Sequence, residues 1–174
     1  VTALLTAAVE APSIEYSTLA PLIILVGGSI VLLLLALIAG SFVQRVLLPV
    51  LSLAVLAAGA DLFIRRLGEP DPSVLEGALR FDDLTAVFGI LFCVAGALAV
   101  VLAWRSSTVE DAGRGEFYGL LLASVAGMAM LAGSQNLVTL FIAFELLSIP
   151  LYVMCAADLR REASLEAGLK YLIV

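Results

Sequence analysis

The feature that most constrains this chain is a succession of long, almost uncharged apolar runs. A helix needs about 20 mostly apolar residues to cross the hydrocarbon core of a bilayer. Five stretches meet that length, at about 19–39, 46–64, 84–104, 117–133 and 137–157, and a sixth begins at about 165–174. The first and third carry no charge at all, the second holds only Asp61 near its end, and the fifth holds Glu145 and Pro150. Soluble domains are near half apolar and about a quarter charged. Here 63% of 174 residues are hydrophobic and 14% are charged, and the mean hydropathy is +1.16. A water-soluble chain of this size has no means of hiding so much apolar surface, whereas one facing lipid has no need to. The expected fold is all-α: a polytopic transmembrane helix bundle of five complete helices and the start of a sixth, in a single membrane domain over 1–174. Ten residues of helix rise only about 15 Å, half of a core about 30 Å thick. The chain therefore reads as a fragment or a prematurely ended open reading frame.

Composition removes several classes of function. A net charge of −6 leaves no basic patch to neutralise nucleic-acid phosphates. With no histidine, the usual metal ligand and general base is missing. Cys93 and Cys155 both lie in apolar runs and read as small hydrophobic helix residues. The first residues carry Glu10 and Glu15 without a basic residue, which is not the pattern of a removable signal peptide. No nucleotide loop, catalytic triad or metal cluster is expected.

The loops set orientation and helix ends. The first, third and fifth loops hold Arg45, Arg105, Arg114, Arg160 and Arg161, against Arg65, Arg66 and Arg80 on the other side. Arginine-rich loops stay in the cytoplasm, so the N-terminus is expected outside. The loop from Arg65 to Asp83 is acidic and contains Pro70 and Pro72, which break any helix there. Asp82 and Asp83 suit the N-terminus of the third helix. Asp61 and Arg65 are one turn apart and read as an interfacial ion pair. Trp104, followed by Arg105, is an interface anchor.

Charges at membrane depth are costly and mark candidate functional sites. Glu145 lies nine residues into the fifth helix, about 12 Å from its outer end. Burial raises the pKa of such a carboxyl, and a group poised between charged and neutral suits a proton relay. Ser148 and Tyr152 follow at three and seven residues, extending a polar face. The alternative is a buried carboxyl that only hydrogen-bonds a neighbouring helix. Pro150 releases the carbonyl of Leu146, either as a packing kink or as a functional one. Lys170, about six residues into the sixth helix, either snorkels to the interface, pairs with Glu166 one turn earlier, or meets Glu145. A short fifth loop makes the fifth and sixth helices antiparallel neighbours, which would place Glu145 and Lys170 within one or two turns in depth.

From about Arg80 onward the chain resembles a known family. The runs FDDLTAVFGILF, FELLSIPLYV and EAGLKY, with a pair of arginines before the last, occur in the order and spacing of the antiporter-like subunit N of bacterial NADH–quinone oxidoreductase, respiratory complex I. The resemblance implies an antiporter-like fold in the bacterial plasma membrane, beside other membrane subunits of the complex and the lipid bilayer. It maps the family glutamate onto Glu145 and the family lysine onto Lys170. In the family such a pair helps couple quinone reduction to proton translocation. NADH, FMN, iron–sulfur clusters and quinone would then belong to the complex, with no cofactor or metal on this chain and no nucleic acid as partner. The family's later lysines have no counterpart here, so a chain of this length is not expected to pump alone. Two other readings remain: a subunit of a multisubunit cation/proton antiporter, and a structural membrane fragment that transports nothing.

Overall fold

A computed structural model describes residues 16–173 apart from 39, 41, 70–72, 76, 105, 107–108, 110–113 and 160. Glu10, Glu15, Pro70, Pro72, Arg105 and Arg160 lie outside the described residues. Among the described residues six α-helices follow in order: α1 Tyr16–Ile38, α2 Leu48–Arg66, α3 Asp83–Ala103, α4 Arg114–Ala132, α5 Leu137–Cys155 and α6 Glu162–Ile173. The first five are long and apolar enough to cross a membrane. The protein is a multi-pass membrane protein with an all-helical membrane domain. Leu37, Ile38, Leu102 and Leu137 point outward from the bundle, as lipid-facing side chains do when apolar surroundings make inward burial unnecessary.

Helices α1 to α4 close into a ring: α1 packs on α2, α2 on α3, α3 on α4 and α4 back on α1. Their shared core includes Leu25, Leu56, Phe63, Val100, Tyr118, Leu122 and Val125, all nearly inaccessible. A buried polar tie crosses it, from the Ser29 hydroxyl to the carbonyl of Gly119 at 2.8 Å. Helix α5 lies outside the ring against α4, and α6 lies against α5.

The helix ends follow the chemistry of their sequences. Asp82 caps α3, its Oδ1 accepting from the Thr85 backbone N–H at 2.8 Å and from the Thr85 hydroxyl at 2.8 Å. The backbone bond is the largest cause of a carboxyl pKa below its usual value, with the Thr85 hydroxyl and Arg80 adding to it against the opposing effect of burial. Asn136 caps α5 in the same way through the Thr139 N–H at 2.8 Å. Asp83 accepts from the Gly68 N–H at 2.9 Å, and Asp61 and Arg65 form the expected ion pair at 2.7 Å. Trp104, expected as an interface anchor, donates its indole N–H to the Arg45 carbonyl at 3.1 Å. Arg45 itself sits in a π-helical turn, Val43–Leu47, which runs directly into α2.

The loop between α2 and α3 holds an element that hydropathy gave no reason to expect. Strands β1 Ser73–Val74 and β2 Leu79–Arg80 form an antiparallel hairpin. It lies across the turn joining α4 to α5. The Arg80 N–H donates to the Gly133 carbonyl at 2.8 Å, and the Gln135 N–H donates to the Ala78 carbonyl at 3.0 Å. The start of α5 is thereby tied to the start of α3, whose Thr85 hydroxyl also reaches the Arg80 carbonyl at 3.1 Å.

Candidate functional site

Helix α5 carries the candidate acid and presents two different faces. Successive residues turn by about 100°, so Thr139, Ala143, Leu147 and Pro150 run down one side while Glu145, Ile149, Tyr152 and Ala156 run down another. The first side meets α4. Thr139, Ala143 and Pro150 are buried there, and the Ser124 hydroxyl of α4 donates to the Leu147 carbonyl at 3.1 Å. A Cβ on Gly127 of α4 would lie 2.5 Å from the Leu147 nitrogen and 2.8 Å from the Leu146 carbonyl carbon, so the two backbones touch there with no room for a side chain. The second side turns toward α6. The rings of Tyr152 and Tyr171 meet edge to face with centroids 4.9 Å apart, and Gly168 of α6 packs on Ala156.

Glu145 is the ninth residue of the 19 in α5, at the middle of the helix. Its side chain is half-buried. Ser148 is buried, and Tyr152 is half-buried beside α6. At three and seven residues from Glu145, both fall within about 60° of it around the helix.

Lys170 is paired on its own helix. Its Nζ lies 2.6 Å from the Glu166 carboxylate, with the two side chains 73% and 65% exposed. Helix α6 starts at Glu162, one turn before the expected boundary, so Lys170 is its ninth residue. It is nonetheless not level with Glu145. Ala156 faces Gly168 and Tyr152 faces Tyr171, a register that sets Lys170 opposite Val153 and Met154. From there to Glu145 is eight or nine residues of α5, roughly 13 Å at 1.5 Å per residue. That is somewhat more than the one or two turns expected from sequence. The reason is that α6 begins well beyond the end of α5, so nine residues into α6 reach only the last turns of its neighbour.

An apolar groove of about 480 Å³ runs between α5 and α6, lined by Ile149, Tyr152, Leu165, Leu169 and others. A second cavity of about 300 Å³ lies at the far end of α5, where Glu116 of α4 meets Met154 and Ala157. Among the described residues there is no cluster of three or more His, Cys, Asp and Glu that could hold a metal ion. The α4 seat under Leu147 was missed by sequence reasoning. Its only signal was Ser124 and Gly127, spaced by three residues in an apolar helix, a pattern common to membrane helices in general.

Residues 134–174, which include Glu145 and Lys170, match the family described as NADH:quinone oxidoreductase/Mrp antiporter, TM. The chain is 33% identical over 162 residues to NADH-quinone oxidoreductase subunit N 1 of Symbiobacterium thermophilum, covering 92% of this chain and 32% of that protein. It is 32% identical over 160 residues to NADH-quinone oxidoreductase subunit N of Myxococcus xanthus, covering 92% and 31%. With subunit N of Desulfitobacterium hafniense it shares 41% identity over 101 residues, 58% of this chain and 20% of that protein. The chain spans about a third of the length of the first two relatives. With the site-bearing helices inside the family match and nearly all of the chain aligned to subunit N proteins, the chain belongs to the antiporter-like membrane family of NADH-quinone oxidoreductase subunit N.

Proposed function

We propose that this chain is part of a membrane subunit of a proton-translocating NADH–quinone oxidoreductase, and that Glu145 is a titrating group on its proton path. The observation that carries this reading is a carboxyl at the middle of a membrane-spanning helix, inside the stretch that matches the family. Mid-membrane acids are costly to keep and are retained where protons or ions move. Lys170, held by Glu166 at rest, acts in this reading as the mobile charge. A lysine side chain is long and flexible, and release from Glu166 would let it swing along α6 toward Glu145, with water completing the gap. The approach and retreat of that charge would gate proton movement at Glu145. Ser148 and Tyr152 would support the same path from the next turns of α5.

The subunit would sit in the bacterial plasma membrane, with the hairpin and the Tyr16 end of α1 outside and the loop carrying Arg161 in the cytoplasm, following the arginine count. It would work beside other membrane subunits, while nicotinamide, flavin, iron–sulfur and quinone chemistry would be carried out elsewhere in the complex.

Glu145→Gln in the full-length subunit tests the proposal. Losing a positioned proton-transfer group costs about 100-fold or more in that step, so proton uptake by inverted membrane vesicles should collapse while the complex still assembles. Unchanged proton translocation per NADH oxidised, in a fully assembled mutant complex, would refute it. The family match also includes Mrp antiporters. Sodium-driven proton exchange that needs no NADH would favour that second reading.

A further inference from the structure

Helix α5 has an unusual middle turn. Pro150 has no N–H, so the Leu146 carbonyl loses its intrahelical donor and the turn from Leu146 to Pro150 is loosened. That turn is in close contact with α4. Gly127 admits the α5 backbone at Leu146–Leu147 without space for even a methyl group. The Ser124 hydroxyl, on a residue that is 1% exposed, donates to the Leu147 carbonyl. Leu147 and Glu145 lie about 200° apart around the helix. Clamping the Leu147 side to α4 therefore turns Glu145 away from the four-helix ring and toward the side on which α6 packs.

We propose that Ser124 and Gly127 of α4 are positioning residues for Glu145: together they seat the Pro150-loosened turn of α5 and set the rotation and depth at which its carboxyl is presented. This rests on the reading of Glu145 as a proton-path group, and extends it to a neighbouring helix that never touches the proton. Small residues allow close helix approach in membranes, and a hydroxyl–carbonyl bond fixes rotation there. The elements packed against α5 contribute few other groups that bear on the titration of Glu145. On α4, Arg114, Glu116 and Tyr118 lie toward the opposite end, since Gly127 is already level with Leu146 and Leu147. On α6 the groups are Glu162, Glu166, Lys170 and Tyr171, of which Glu166 and Lys170 pair with each other. Helix α5 itself adds Tyr152 and Cys155.

The test uses the full-length subunit in the assembled complex, with Ser124→Ala and Gly127→Ala. Two quantities are read: the infrared carboxyl band of Glu145, identified by its loss in Glu145→Gln, and the pH profile of proton translocation per NADH oxidised. Ordinary contact begins at 3.4 Å, so a methyl on Gly127 pushes the helices apart by about 0.9 Å. Misplacing a reacting group by about 1 Å costs up to about 100-fold. We expect the band to move in both variants, and the translocation rate to fall by about tenfold or more in Gly127→Ala with a displaced pH midpoint. A role in packing alone would lower the amount of complex but leave the band and the pH midpoint of the assembled fraction in place, and that result would overturn the proposal. If Gly127→Ala does not assemble, Ser124→Ala decides, because it removes one hydroxyl and adds no bulk. The two readings fail separately. An unmoved band sinks the positioning role whatever pumping does. A moved band with normal pumping in Glu145→Gln upholds the positioning role and removes the proton-path function.

Discussion

Replacing Gly133 with alanine should loosen the clamp that holds the start of α5. Gly133 is buried in the turn between α4 and α5. A Cβ there would sit 2.7 Å from the Arg80 carbonyl oxygen and 3.2 Å from the Thr85 Cγ2. The carbonyl is backbone, already held by the Thr85 hydroxyl, so it has no rotamer by which to move aside. Restoring ordinary contact at 3.4 Å drives the hairpin back by about 0.7 Å. The bond from the Arg80 N–H to the Gly133 carbonyl, now 2.8 Å, would then stretch to about 3.5 Å, the limit of a hydrogen bond. Its partner from Gln135 to Ala78 shares the same displacement. Each bond contributes about 1 kcal/mol net, and replacing a glycine whose φ is not positive returns about 0.5–1 kcal/mol. The net loss should be about 1–1.5 kcal/mol, a factor of about 5–13 in the local opening equilibrium. Amide hydrogen exchange of the full-length subunit in lipid nanodiscs should register this as faster exchange at Arg80 and Gln135 by that factor. Gly27→Ala is the control. A methyl there meets nothing within 4 Å, so the change should be neutral or mildly stabilising through helix propensity, by up to about 1 kcal/mol. Exchange at Arg80 and Gln135 unchanged in Gly133→Ala, with the control behaving as described, would refute the clamp.

Other perturbations probe the frame around the site. Asp82→Ala removes the α3 cap and should cost about 1 kcal/mol, while Asp82→Asn keeps an acceptor and should cost a few tenths. The folded-state pKa of Asp82 lies below its usual value, chiefly through the Thr85 N–H. Its contribution is therefore complete above the unfolded carboxylate pKa and is lost as pH falls through the lower folded value. Asp82→Asn should flatten that acid limb in a stability-versus-pH series, and an unaltered limb would exclude the cap as its source. Ser29→Ala cuts the buried tie to Gly119 and should destabilise the α1–α4 contact by about 0.5–1.5 kcal/mol in reversible unfolding from bicelles, the range of interhelical hydrogen bonds in membranes. No change there would mean that the Gly119 carbonyl finds another donor.

Much of this protein is determined by sequence because the bilayer acts on each residue separately. A run of 20 apolar residues is a spanning helix whatever its neighbours are, and the five spans lie within a few residues of where hydropathy puts them. Local chemistry decides ends in the same way. Asp82 caps because the backbone N–H of Thr85 is three residues on, and Asp61 pairs with Arg65 because they are one turn apart. The mid-helix position of Glu145 needs only counting along α5. Tertiary structure decided what depends on distant partners. No local signal marks the hairpin as a strap across Gly133 and Gln135, because its two-residue strands gain their meaning from a turn some 50 residues away. Lys170 shows the same limit, since its depth depends on how far α6 starts beyond the end of α5, an offset set by the seating of Gly168 on Ala156. The division of α5 between α4 and α6 was hidden for a related reason. Lipid and protein neighbours are both apolar, so hydrophobic periodicity, which reports a face turned to water, is nearly blind to which side of a membrane helix meets another helix.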